Sequence, residues 1–106
     1  LLDGLKVGAA GCISATTNVT GSVAKKVFDD FHKSGNSSSD TKLKALRTVF
    51  DDTGNLISAL HTLKSMENEI YENILPPLEM LSEEKKKEML KKLKDLNFLP
   101  SKNIAA

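Results

Sequence analysis

This chain lacks a cysteine pair, a charge excess and a long apolar run. Its single cysteine, Cys12, cannot close an internal disulfide, so no cross-linked scaffold is available and a reducing compartment fits. Cys12 lies inside an apolar run, where a small buried thiol is the expected state. The 15 Lys and Arg nearly cancel the 14 Asp and Glu, for a net charge of +1. That leaves no concentrated basic surface of the kind counterion release on nucleic acid requires. No apolar run approaches the length of a membrane span, and no basic leader precedes an apolar core. The expectation is a soluble, cytoplasmic chain with neither a nucleic-acid nor a membrane partner. The absence of Met at Leu1 suggests that something upstream has been removed. Asn18-Val19-Thr20 and Asn36-Ser37-Ser38 spell the glycosylation pattern, but without an export signal both matches are read as chance.

Cofactor signatures are missing too. Gly8-Ala9-Ala10-Gly11 precedes a Ser/Thr-rich stretch and a helix, yet it carries no Gly-x-Gly-x-x-Gly spacing and no Gly-Lys-Ser/Thr ending for a phosphate. His32 and His61 are too far apart for a helical metal pair, and no Cys or carboxylate joins them at metal-ligand spacing. Asp29-Asp30 and Asp51-Asp52 are helix neighbours that point in different directions. No metal and no cofactor is expected. In "EEKKKEMLKKLKDL" four acids are interleaved with the lysines, which marks a solvated outer face rather than a membrane-seeking helix.

What is present is one small domain's worth of apolar residues, 40% of 106, arranged at helical spacing and without an internal repeat. Leu1, Leu2, Leu5 and Val7 followed by Gly8 read as the end of a helix and a turn. Cys12-Ile13-Ser14-Ala15 reads as a short buried strand, and Thr16 to Ser22 as turn formers and cap residues. Val23, Val27, Phe28 and Phe31 predict an amphipathic helix ending near Ser34-Gly35. Leu43, Leu46, Phe50, Ile57 and Leu60 predict a second long helix to about Met66, kinked at Gly54. Pro76-Pro77 breaks the next stretch, where Ile74, Leu75, Leu78 and Met80 are expected to pack down. Ser82, Glu83 and Glu84 open a final helix whose stripe is Met89, Leu90, Leu93 and Leu96, stopping near Asn97 and before Pro100. The fold class is mainly α, with helices plus one short strand that has no visible partner for its backbone groups.

The run "GAAGCISATTNV" resembles the segment around the eighth strand of the dihydrodipicolinate synthase and N-acetylneuraminate lyase family. "TGNLISALHTLKSM" and "ILPPLEMLSEEKKKEMLKKLKDLNFL" resemble that family's later helices. The resemblance implies the last βα unit and C-terminal helices of a (β/α)8 barrel. It divides the chain into 1–22 (end of a barrel helix, short strand and active-site-side loop), 23–66 (two long helices) and 67–106 (Pro-containing connector and C-terminal helix). It also implies a class I lyase or aldolase that holds pyruvate or a related 2-keto acid as a lysine Schiff base, without a cofactor, in a homo-oligomer. Active sites of such barrels lie at the C-terminal ends of the strands. By the family pattern Ile13 places its carbonyl near the Schiff-base lysine, Gly11 leaves room beside the keto acid, and Ser14 and Ala15 follow at the rim. Read from residues alone, a plain buried strand serves as well. The sialic acid lyases usually have a Ser at the position of Ala15, which weighs against that substrate. The family's lysine, its tyrosine and its Gly-Thr-Thr-Gly-Glu loop do not occur here, so no catalytic residue is assigned to this chain and it is expected to be inactive alone. The alternative is a non-catalytic helical interaction or oligomerisation protein.

Overall fold

A computed structural model describes residues 1–98. Its elements are α1 (Leu2–Lys6), α2 (Thr17–Ser34), α3 (Asp40–Asp51), α4 (Leu56–Ser65), a 3₁₀ turn (Glu69–Glu72) and α5 (Glu83–Asp95). The mainly helical class stands. The short strand does not: no strand occurs among the described residues, and 9–14 is irregular. A strand needs a neighbour for its N–H and C=O groups, and here the segment is bathed in solvent, with Ile13 fully exposed. Cys12 is exposed as well, which corrects the expected buried thiol. Two compact units divide the chain, the first Leu1–Leu46 and the second from Arg47 onward.

In the first unit α1 buries Leu2 and Leu5, while Val7 is exposed. Gly8, at φ 103°, turns the chain out of α1, and the Gly8 and Ala9 amides return to Leu5 and Gly4 carbonyls at 3.1 and 3.0 Å. α1 packs on α2. α2 begins at Thr17, earlier than the hydrophobic period at Val23 announces. Residues 16–22 are rich in groups that compete with helix for the backbone, but here they bond inside it. Thr17 Oγ1 donates to the Ser14 carbonyl at 2.6 Å, Asn18 Nδ2 to Ala15 at 2.9 Å and the buried Thr20 Oγ1 to Thr16 at 3.0 Å. The buried row of α2 is accordingly Thr20, Ala24 and Val27, with Val23, Phe28 and Phe31 half-buried beside it. The helix stops at Gly35, whose left-handed φ of 76° lets its N–H reach the Phe31 carbonyl at 2.7 Å.

In the second unit the expected long helix is two helices. Thr53 Oγ1 caps back onto Phe50 O at 2.7 Å, Gly54 adopts φ 94°, and Asn55 starts α4 by accepting the Ser58 N–H at 3.0 Å. A residue so far into the left-handed region ends a helix rather than bending it. Val49, Phe50, Ala59, Leu60 and Leu63 are buried, and Ile57 is 47% exposed. α4 packs on the 3₁₀ turn, which Asn68 caps by accepting Ile70 N–H at 3.0 Å. Residues 73–82 include the cis Pro76-Pro77 bond. Leu75 stands exposed there, while Ile74, Leu78 and Met80 are half-buried.

α5 follows its sequence signals most closely. Ser82 caps it by accepting the Lys85 N–H, Met89 and Leu93 are buried, and Leu90 and Leu96 are half-buried. Its end is a Schellman arrangement: Asn97 takes φ 53°, and the Phe98 and Asn97 amides return to Leu93 and Lys94 at 2.9 and 3.0 Å. Pro100 and the rest of 99–106 lie outside the described residues.

Candidate functional site

The four residues expected at the pocket, Gly11, Ile13, Ser14 and Ala15, lie together on the stretch that leads from α1 to α2. Gly11 is exposed, and a side chain added there would meet nothing within 4 Å. Ile13 is exposed, and its carbonyl accepts no hydrogen bond among the described residues. Ser14 and Ala15 belong to the entry of α2 rather than to a strand. The Ser14 hydroxyl pairs with Thr16 Oγ1 at 2.7 Å, and its carbonyl takes the Thr17 N–H at 3.2 Å. Ala15 gives its carbonyl to the amide and side chain of Asn18 at 3.2 and 2.9 Å. The structure therefore separates an open half, Gly11 to Ile13, from a half already fixed by the helix. Residue chemistry alone did not reveal this division, although a cluster of Ser, Thr and Asn before a helical period is a signal of a helix entry.

Several charged groups pair locally. Lys25 and Lys26 pair with Asp29 and Asp30 at 3.0 and 3.2 Å, Lys64 with Glu67 at 2.8 Å, and Lys92 with Asp52 at 3.6 Å. Lys44 lies between Asp3 and Asp40, 3.2 Å from each. Hydrogen bonds to Asp40 and Asp3 push the Lys44 ammonium pKa above its ordinary value, and the hydrogen bond to Glu67 does the same for Lys64. An imine-forming lysine needs the opposite, a neutral amine near pH 7. His32 lies edge-on to Phe28 and Phe31, 4.4 and 5.5 Å between ring centres. His61 Nδ1 donates to the Tyr71 carbonyl at 2.9 Å. No cluster of three metal-ligating side chains occurs among the described residues, and among them no helix is long and apolar enough to cross a membrane.

The pattern of the dihydrodipicolinate synthetase family matches residues 1–96. The chain belongs to that family, which gives it a lyase- or aldolase-type ancestry and a (β/α)8 origin. No curated protein and no solved structure matches it.

Proposed function

We propose that the chain is the C-terminal, helical part of a Schiff-base-forming lyase or aldolase that acts on pyruvate or a related 2-keto acid. The observation that carries this is the family match over residues 1–96, together with the solvated Gly11 to Ile13 segment and its unengaged carbonyl. In this reading Ile13 offers that carbonyl beside the imine-forming lysine, Gly11 leaves space for the keto acid, and Ser14 and Ala15 form the rim. The lysine itself comes from outside this sequence, in which the family's lysine, tyrosine and Gly-Thr-Thr-Gly-Glu motifs do not occur. The parent enzyme is a cytoplasmic homo-oligomer, and the chain alone is inactive.

Trapping with borohydride in the presence of pyruvate, followed by peptide mapping, tests this. The 106-residue chain should gain no adduct, and the gene product that carries it should gain one on a lysine outside it. An adduct on a lysine of this chain overturns the placement of the catalytic amine. No adduct on either removes Schiff-base chemistry and leaves a helical interaction protein.

A further inference from the structure

The second unit holds a groove of about 450 Å³, lined by Thr53, Gly54, Asn55, Ser58, residues 77–82 and Lys85. That size suits a small molecule. Both Asn55 and Ser82 line it, and these are the N-caps of α4 and α5. Two helices thus bring their N-terminal, positive dipole ends to one hollow. Lys85 adds a full positive charge: its Nζ gives one hydrogen bond to the Thr53 carbonyl at 2.9 Å, and an ammonium has two further protons to give.

An independent feature points to a ligand. Ser58 is 5% exposed and lines the groove, and its hydroxyl makes no hydrogen bond among the described residues. The hydroxyl oxygen is not among the buried atoms left without a partner, so it meets solvent at the groove wall, where a ligand atom can take the place of water. The Ser58 and Lys85 amides are already taken by Asn55 Oδ1 and Ser82 Oγ at 3.0 and 3.3 Å. Holding a ligand therefore falls to the Lys85 ammonium, the Ser58 hydroxyl and the two dipoles. Glu79 also lines the groove and opposes a negative ligand.

We propose that this groove is a binding site for a small oxyanion, a carboxylate or a phosphate, held by Lys85 and the Ser58 hydroxyl. The test is a titration of the chain with sodium acetate and, separately, sodium phosphate, at ionic strength held constant with chloride and followed by two-dimensional NMR. Saturable shifts confined to residues 53–58 and 77–85 are expected. Lys85→Gln should weaken binding about tenfold, the loss of a charge-assisted hydrogen bond, whereas Lys85→Arg keeps most of it. Ser58→Ala should weaken it severalfold, and Glu79→Gln, on an exposed residue, should strengthen it by about two- to threefold at short charge separation in water. Saturation by acetate alone assigns a carboxylate ligand, and by phosphate alone a phosphate. Failure of both to saturate overturns the site, as does unchanged binding in folded Lys85→Gln and Glu79→Gln.

Discussion

Replacing Thr62 by Val removes a hydroxyl that makes two bonds and leaves the shape of the side chain nearly unchanged. Thr62 is 2% exposed. Its Oγ1 donates to the Ser58 carbonyl at 2.7 Å and accepts the Leu81 N–H at 3.1 Å, tying the 73–82 segment to α4. The Ser58 carbonyl keeps its helical partner, so losing the first bond costs little. The Leu81 amide has no substitute acceptor. An unpaired buried donor costs about 1–3 kcal/mol, and because Leu81 is half-buried water meets part of that demand. The lower end, about 1 kcal/mol, is the working figure. In a domain of this length such a loss lowers the melting temperature by about 4–8 °C. Thermal melts with amide hydrogen exchange at Leu81 provide the assay. Thr62→Ser is the control: it loses a methyl group but should keep Leu81 protected. A Thr62→Val protein that melts like the parent with Leu81 still protected would refute the role given to the hydroxyl.

Cys12 should react stoichiometrically with a thiol reagent in the folded protein without denaturant, since it is exposed; a requirement for denaturant would contradict that placement. Gly54→Ala should destabilise the second unit by about 1–2 kcal/mol, because an L side chain is forced into the left-handed region, and a urea melt measures it; an unchanged midpoint would contradict the strained turn. Asp30 carries a pH signature. The Ser37 hydroxyl and then Lys26 hold its carboxyl pKa below the ordinary 3.8, so its stabilising contribution is complete above that value and fades as pH falls through the lowered one. Hydrogen exchange at Ser37 and Ser39 should thus stay level from neutral pH down to about pH 4 and quicken below it, once intrinsic rates are divided out, and Asp30→Asn should abolish the transition.

Legibility in the sequence followed a physical rule: signals that act within one turn were readable, and those that depend on a distant partner were not. Ser82, Glu83 and Glu84 announced α5, and Gly35 announced the end of α2, because caps and dipoles are local. Cys12 to Ala15 has the composition of a strand, but composition cannot supply a neighbouring strand, and the segment stays open. Thr16 to Ser22 looked like a turn because the same hydroxyls that compete with a helix can bond back into one. Gly54 looked like a kink because the stripe on either side has helical spacing; the sign of its φ is invisible in sequence. At the candidate site, Gly11 and Ile13 were singled out by family resemblance, and their exposure here could not be read from residue type. The groove at Ser58 and Lys85 escaped notice since its members come from 53–58 and 77–85, too far apart for any motif.

The role given to the Gly11 to Ala15 segment is tested most directly by the turnover of the complete enzyme carrying Gly11→Val, with Lys91→Ala as control. Gly11 has no left-handed φ, and a Cβ there meets nothing within 4 Å, so valine does not strain this chain by itself. Lys91 is an exposed helical residue. With stability shown to be comparable, a bulky group beside the keto acid should lower kcat/KM for pyruvate on the order of a hundredfold, the penalty for displacing a reacting group by about an ångström, while Lys91→Ala leaves it unchanged. Equal kinetic effects of the two substitutions would remove Gly11 from the substrate pocket and contradict the functional reading of the segment.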